Sequence, residues 1–131
     1  MILENLVQNL IAISLGAMLF FSFVIAPVTF KVLDANNAGK FVRKIFPHYY
    51  LINLVILSVA VVLLLYISSI NLDFYITLFI TILFSFSLFI LMPLINKLKD
   101  NKEEQKFEYL HTLSVIINFT QIIGLIYLVL T

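Results

Sequence analysis

Four polar side chains, His111, Ser114, Asn118 and Gln121, recur at intervals of three and four residues within an otherwise apolar stretch. At 100° per residue they fall within about 80° of one helix face. A stripe of imidazole, hydroxyl and carboxamide groups can hydrogen-bond a polar ligand, and the imidazole can also ligate a metal or a haem iron. A second group, Tyr49 and Asn53 at i, i+4 with His48 beside them, follows shortly after Lys44. His48 lies four residues past Lys44 and His111 three past Glu108, so the two histidines are expected at matched depth. The same residue types also have a plainer use. Asn, Ser and Gln at span centres join helices through hydrogen bonds worth about 1 kcal/mol, and a histidine near the membrane surface can reach headgroups or cap a helix.

The chemistry that is missing narrows the reading further. The chain has no cysteine, hence no disulfide, thiolate metal site or cysteine nucleophile, and its three glycines build no phosphate loop. No carboxylate falls inside any long apolar stretch, and no Ser/His/Asp set has a credible base. The balance leans against an enzyme and toward binding. A net charge of +1 provides no field for nucleic acid.

What must position these groups is membrane-spanning helix. Charged residues make up only 11% of the 131 residues, against about 25% in soluble proteins, too few to coat a small globule with polar groups. The charge-free stretches are 26 residues between Glu4 and Lys31, 28 between Lys44 and Asp73, 23 between Asp73 and Lys97, and 23 after Glu108. About 20 apolar residues cross the hydrocarbon layer as a helix, and in lipid such runs must be helical to satisfy their backbone groups. The expectation is an all-α integral membrane four-helix bundle forming one domain over 1–131. Its spans fall near 6–28, 49–68, 74–95 and 109–130, with a short outer loop between helices 2 and 3.

All eight basic residues lie in two loops, 31–47 and 96–108, while the opposite side carries only Glu4 and Asp73. Lys and Arg mark the cytoplasmic side, so both termini are expected outside. In the first loop Ala38, Phe41, Val42, Ile45 and Phe46 form one face and Lys40, Arg43 and Lys44 the other. That reads either as a surface-lying amphipathic helix capped by Asp34, Asn36 or Asn37, or as an early start to the second span at Phe46. Pro27 and Pro93 sit near the cytoplasmic ends of the first and third spans, where each frees a carbonyl four residues back, at Phe23 and Phe89. The cytoplasmic half is therefore where a polar site is expected. Two small-residue faces, Ala12/Gly16 and Thr77/Thr81/Ser85, suit close helix packing. No internal repeat is evident.

The order of these residues resembles a known family. Gly16 is followed by Val24-Ile25-Ala26-Pro27-Val28-Thr29-Phe30, then Gly39, then Phe46-Pro47-His48-Tyr49-Tyr50, an isolated Pro93, and Phe107, His111, Ser114 and Asn118 as F-x3-H-x2-S-x3-N. This resembles the transmembrane protein 205-like family, whose bacterial members carry the label domain of unknown function 4149. The resemblance implies a four-helix membrane bundle and little about activity. Its pattern carries over to Phe30, Gly39, Phe46, Pro47, Tyr49, Pro93, His111, Ser114 and Asn118, but not to His48. A second comparison, with the small four-helix membrane protoporphyrinogen oxidase, fails at two places. That pattern wants a histidine in the first helix and a basic residue after its proline, and here stand Asn9 and Val28.

The function expected is that of a small polytopic protein, non-enzymatic, handling or transporting a ligand or supporting a membrane. Its polar site would comprise His111, Ser114, Asn118, Gln121, Tyr49 and Asn53. One alternative is a haem- or metal-binding redox protein using His111, with His48 as possible second ligand; otherwise no cofactor is expected. Another is an assembly subunit that meets a second copy or other membrane proteins through the Ala12/Gly16 face and the amphipathic first loop. The lipid bilayer is the common partner, and richness in Ile, Lys, Asn and Phe points to an AT-rich bacterial genome and the inner membrane.

Overall fold

The computed structural model describes residues 2–131. They form four helices, α1 Ile2–Val32, α2 Ala35–Tyr66, α3 Leu72–Asp100 and α4 Glu104–Leu130, each long and apolar enough to cross a membrane. No strand occurs among the described residues. The links are short, so successive helices are antiparallel. The helices close into a ring in which α1 packs on α2 and α4, and α3 packs on α2 and α4.

The outer surface is hydrocarbon. Ile13, Phe20, Val62, Phe79, Phe89 and Ile123 are each more than half exposed. Bare apolar side chains spread over every helix would be untenable in water and are the normal surface of a protein solvated by lipid.

The helices run well past the expected spans. The segments 31–47 and 96–108 are mostly helical, and only Leu33–Asp34 and Asn101–Glu103 lie outside the helices at that end. The amphipathic stretch after Asp34 is neither a separate surface helix nor a loop: α2 continues through Pro47 without a break. Asp34 caps it, its Oδ1 accepting the backbone N–H of Asn37 at 2.8 Å. Its charged turns are anchored to α3 by Arg43, which holds them in line with the span. At the opposite end Asn71 caps α3 by accepting from the N–H of Phe74.

Each of the two proline-bearing odd helices contains one wider π-helical turn, Phe21–Ile25 in α1 and Ser87–Leu91 in α3. Both turns begin six residues before a proline, Pro27 and Pro93. A proline has no N–H to give and its ring crowds the carbonyl of the preceding turn. Widening that turn by one residue relieves the crowding without breaking the helix. The two hairpins α1–α2 and α3–α4 therefore share a plan that no sequence repeat announces.

The buried core runs from the end away from the Lys/Arg residues, where all four helices contribute, through Phe84, Leu91, Met92 and Ile95 to Tyr49 and Tyr50. Val7, Ile11 and Met18 of α1 meet Leu57, Ala60 and Leu64 of α2, Phe74 and Ile80 of α3, and Ile122, Leu125 and Leu128 of α4 in one buried cluster. Toward the Lys/Arg end the pairing changes. The Ala26–Val32 turns of α1 pack on α2, and the Met92–Asp100 turns of α3 pack on α4. Each hairpin stays closed while the two hairpins part.

Candidate ligand-binding cavity

The space left between the parted hairpins is a cavity of about 310 Å³ at the Lys/Arg end. Aromatic rings wall it: Phe21, Phe30, Phe46, Phe107 and Phe119. Its deep end is polar, with Ser22, Tyr49, Tyr50 and Asn118, and its mouth carries Arg43, Asn96, Lys99 and His111. No carboxylate lines it.

The deep end is held by a chain of hydrogen bonds across three helices. Ser14 donates to Asn53 Oδ1 at 2.7 Å, and Asn53 Nδ2 donates to the Tyr49 carbonyl at 2.8 Å. The Tyr49 hydroxyl donates to Asn118 Oδ1 at 2.7 Å, and Asn118 Nδ2 donates to Ser22 Oγ at 2.9 Å. Each link saves a polar group from facing hydrocarbon unpaired, which is why the chain is built from neutral side chains that satisfy one another. The Phe21 ring stacks on Tyr49 at 4.2 Å, with Tyr50 set edge-on at 5.1 Å, so the phenol has little freedom to turn. Some hydrogen-bonding capacity is left over. Ser22, which accepts from Asn118, also lies within hydrogen-bonding reach of the Tyr49 hydroxyl, but Asn118 has a second N–H, and the Tyr50 hydroxyl has no hydrogen-bond partner among the described residues.

At the mouth, Arg43 Nη2 and Nη1 clasp the Asp100 carboxylate at 2.9 and 3.3 Å, and Nη2 also donates to the Asn96 carbonyl at 3.2 Å. This forked pair bridges α2 to α3 where their backbones have separated. Lys99, in contrast, has no carboxylate partner among the described residues; its ammonium lies 5.2 Å from the centroid of the Phe107 ring. Phe107 in turn lies nearly parallel to His111, centroids 5.9 Å apart.

The six polar residues singled out from the sequence divide into two groups. Tyr49, His111, Ser114 and Asn118 line the cavity. Asn53 and Gln121 are buried in the core above it, Asn53 against Ser14 and Gln121 with its Nε2 donating to the Ile80 carbonyl of α3 at 3.2 Å. Gln121 Oε1 is buried without a partner. Ser114 donates to the carbonyl of His111 at 2.6 Å, using its hydroxyl on its own helix. His48 is exposed and outside the cavity lining, so the structure does not bring the two imidazoles to one site. Among the described residues no group of three His, Asp or Glu side chains converges. The motif residues Phe30, Gly39 and Phe46 line the cavity, while Pro27 and Pro93 shape the helices that open it.

Sequence reasoning missed Ser22, Arg43 and Lys99. The cations served only as markers of sidedness. Ser22 gave one available signal, being with Ser14 one of two serines in a span otherwise almost wholly apolar.

The fold and the cavity define a small multi-pass membrane protein, all-helical, with a polar-floored chamber at its charged end. The chain belongs to the family described as a domain of unknown function (DUF4149), whose model matches residues 9–104. That match takes in Gly16, Pro27, Phe30, Gly39, Phe46, Pro47, Tyr49 and Pro93, and ends before His111. An uncharacterized protein of Aquifex aeolicus (strain VF5) is 38% identical over 60 residues, which is 46% of this chain and 46% of the relative. This chain thus matches less than half of that relative's length. No solved structure matches.

Proposed function

We propose that this protein is a non-enzymatic, ligand-binding protein of the bacterial inner membrane, with its Lys/Arg end and its cavity on the cytoplasmic side and both termini outside. The observation that carries the reading is the makeup of the cavity. It has aromatic walls, leftover hydrogen-bond donors at the deep end, cations at the mouth and no carboxylate to act as base or proton carrier. Groups so arranged can hold and orient a molecule, and they lack a nucleophile paired with a base. Eight Lys and Arg on one side against none on the other supports the orientation.

The absence of cysteine makes a direct test possible. Ser114→Cys places one thiol in the chamber. The expected result is labelling by a membrane-impermeant maleimide in inside-out vesicles but not in right-side-out ones, with slower labelling when an occupant is present. Labelling from the outside would reverse the orientation. Labelling that no extract fraction or lipid slows would remove the ligand-binding role.

A second reading, assembly with another membrane protein or a second copy, is favoured by one observation. Ala12 and Gly16 are exposed on the outer face of α1, and a Cβ added at Gly16 would meet nothing within 4 Å. That small-residue face is unused inside the bundle and open to a close-packing partner.

A further inference from the structure

We infer that the occupant is an anionic glycerophospholipid of the adjoining leaflet, bound with its headgroup in the cavity and its acyl chains passing out between α1 and α4; this rests on the ligand-binding reading above. The shape of the opening comes first. The gap between the hairpins has two sides. On the α2/α3 side Arg43 closes it, bonded to both Asp100 and the Asn96 carbonyl. On the α1/α4 side the Ser22–Asn118 hydrogen bond and the Phe23–Phe119 ring pair join the helices. Below them the Ala26–Val32 turns of α1 turn to α2. The lips of this second side are apolar and face outward: Phe30 is 60% exposed, Phe119 46% and Val115 39%. The cavity therefore opens into the layer that holds acyl chains, and a hydrocarbon chain leaving through it stays among apolar side chains.

Charge comes second. Arg43 at the mouth is neutralised by Asp100, whereas Lys99 has no carboxylate partner among the described residues and no carboxylate lines the chamber. The lining thus carries one uncompensated positive charge at the depth of the headgroups, where it complements one phosphodiester. The leftover hydrogen-bonding groups deeper in offer donors, the second N–H of Asn118 and the hydroxyl of Tyr50. Glycerol ester carbonyls only accept, so a phospholipid seated with its phosphate near Lys99 presents acceptors where the protein presents donors.

Any protein with basic ends attracts anionic lipid loosely, so the test must separate a seat in the cavity from that halo. Purified protein in dodecylmaltoside is titrated with palmitoyl-oleoyl phosphatidylglycerol or the matching phosphatidylcholine, and bound lipid is counted by native mass spectrometry. Lys99→Gln is compared with Lys97→Gln, which removes the same charge two residues away from a side chain that does not line the cavity. The inference expects one phosphatidylglycerol retained per chain, at least fivefold weaker with Lys99→Gln and within twofold of the parent with Lys97→Gln. It also expects that brominated acyl chains quench the fluorescence of a Phe119→Trp reporter. Equal loss in the two lysine variants, equal retention of phosphatidylcholine, or displacement by glycerol phosphate at comparable concentration would each overturn it, the last by showing a site for soluble anions. If phosphatidylglycerol leaves Ser114→Cys labelling unchanged while another molecule slows it, the lipid assignment fails and the ligand-binding reading stands; if nothing slows it, both fail.

Discussion

The two ends of this bundle are made of the same four helices and obey different rules. Toward the termini, α1 to α4 are close-packed, and Met18, Leu57, Ile80 and Leu125 are almost fully buried among one another. Toward the Lys/Arg end the helices pair off and a chamber opens, floored by the buried Tyr49, Tyr50, Met92 and Ile95 and rimmed by more exposed aromatics, polar groups and cations. The change occurs at the depth of the two π-helical turns. In lipid no hydrophobic force pulls helices together, so tight packing has to come from shape. Where the closed half has small and interlocking residues it closes. Where each odd helix carries a wider turn ahead of its proline, the hairpins separate. The lesson is that one half provides the stability and the other is free to hold an occupant.

Substitutions can break that division, and the largest effects belong in the closed half. Leu57→Ala removes a fully buried side chain from the middle of the core. It is expected to cost about 2–3 kcal/mol, at the lower end of the range for such truncations, because lipid as the reference state weakens the transfer part and leaves mainly the cavity part. Phe46→Ala, which enlarges a chamber that already exists and gives up ring contacts to Phe21 and Tyr50, is expected to cost less, about 1 kcal/mol. Denaturation in mixed detergent micelles measures both, and equal costs would mean that the two halves do not differ. Next comes Gly124→Leu. A Cβ there would come within 2.7 Å of Ile80 Cδ1, and Ile80 is itself buried. Overpacking of this kind costs about 1–3 kcal/mol. The same change at Gly16, where nothing lies within 4 Å, is expected to leave stability within about 0.5 kcal/mol, as outward-facing substitutions do. Loss of a dimer band on crosslinking by Gly16→Leu would support the assembly reading.

Smaller still is Tyr49→Phe. It removes the donor to Asn118 at 2.7 Å and leaves Asn118 Oδ1 in need of a partner. The expected loss is about 1 kcal/mol, typical of an interhelical hydrogen bond in a membrane. In a double-mutant cycle with Asn118→Leu the two losses should not add, whereas additive losses would mean that the bond does not join α2 to α4 energetically.

How much of this is legible in the sequence follows from what each feature depends on. The four helices depend on run length and charge placement along the chain, both local properties, and the sequence carries them openly. The polar stripe of α4 was legible for the same reason, as periodicity on one helix. Its division was not. Gln121 turning to the Ile80 carbonyl and Asn118 turning to Tyr49 and Ser22 depend on which helix lies on which side, and the order of packing leaves no periodic trace. A pairing of His48 with His111, which belongs only to the haem or metal alternative, rests on matched depth alone. Depth fixes height in the membrane but not the direction around a helix axis, and His48 is exposed. The helical character of 35–46 was visible in its amphipathic face, but its continuity through Pro47 was not, since proline ordinarily argues for a break. The parallel plan of the two hairpins was hidden because it resides in two π turns and their prolines rather than in repeated residues.

The Arg43 bridge gives the mildest effect on stability and the sharpest view of the open half. Both partners are substantially exposed, 40% and 62% by side chain, and exposed ion pairs contribute about 0–1 kcal/mol. Arg43→Gln should therefore hardly move the unfolding transition. What it removes is the only side-chain ion pair that spans the parted α2 and α3 among the described residues. If that clasp is what keeps the α2/α3 side shut, the thiol of Ser114→Cys should label several-fold faster from the Lys/Arg side in the Arg43→Gln background, and Asp100→Asn should do the same. Swapping the charges, Arg43→Asp with Asp100→Arg, should restore the slower rate, which a loss caused by general loosening would not do. Unchanged labelling in both single variants would mean that access runs wholly through the gap between α1 and α4, leaving the bridge a tie without a gating role.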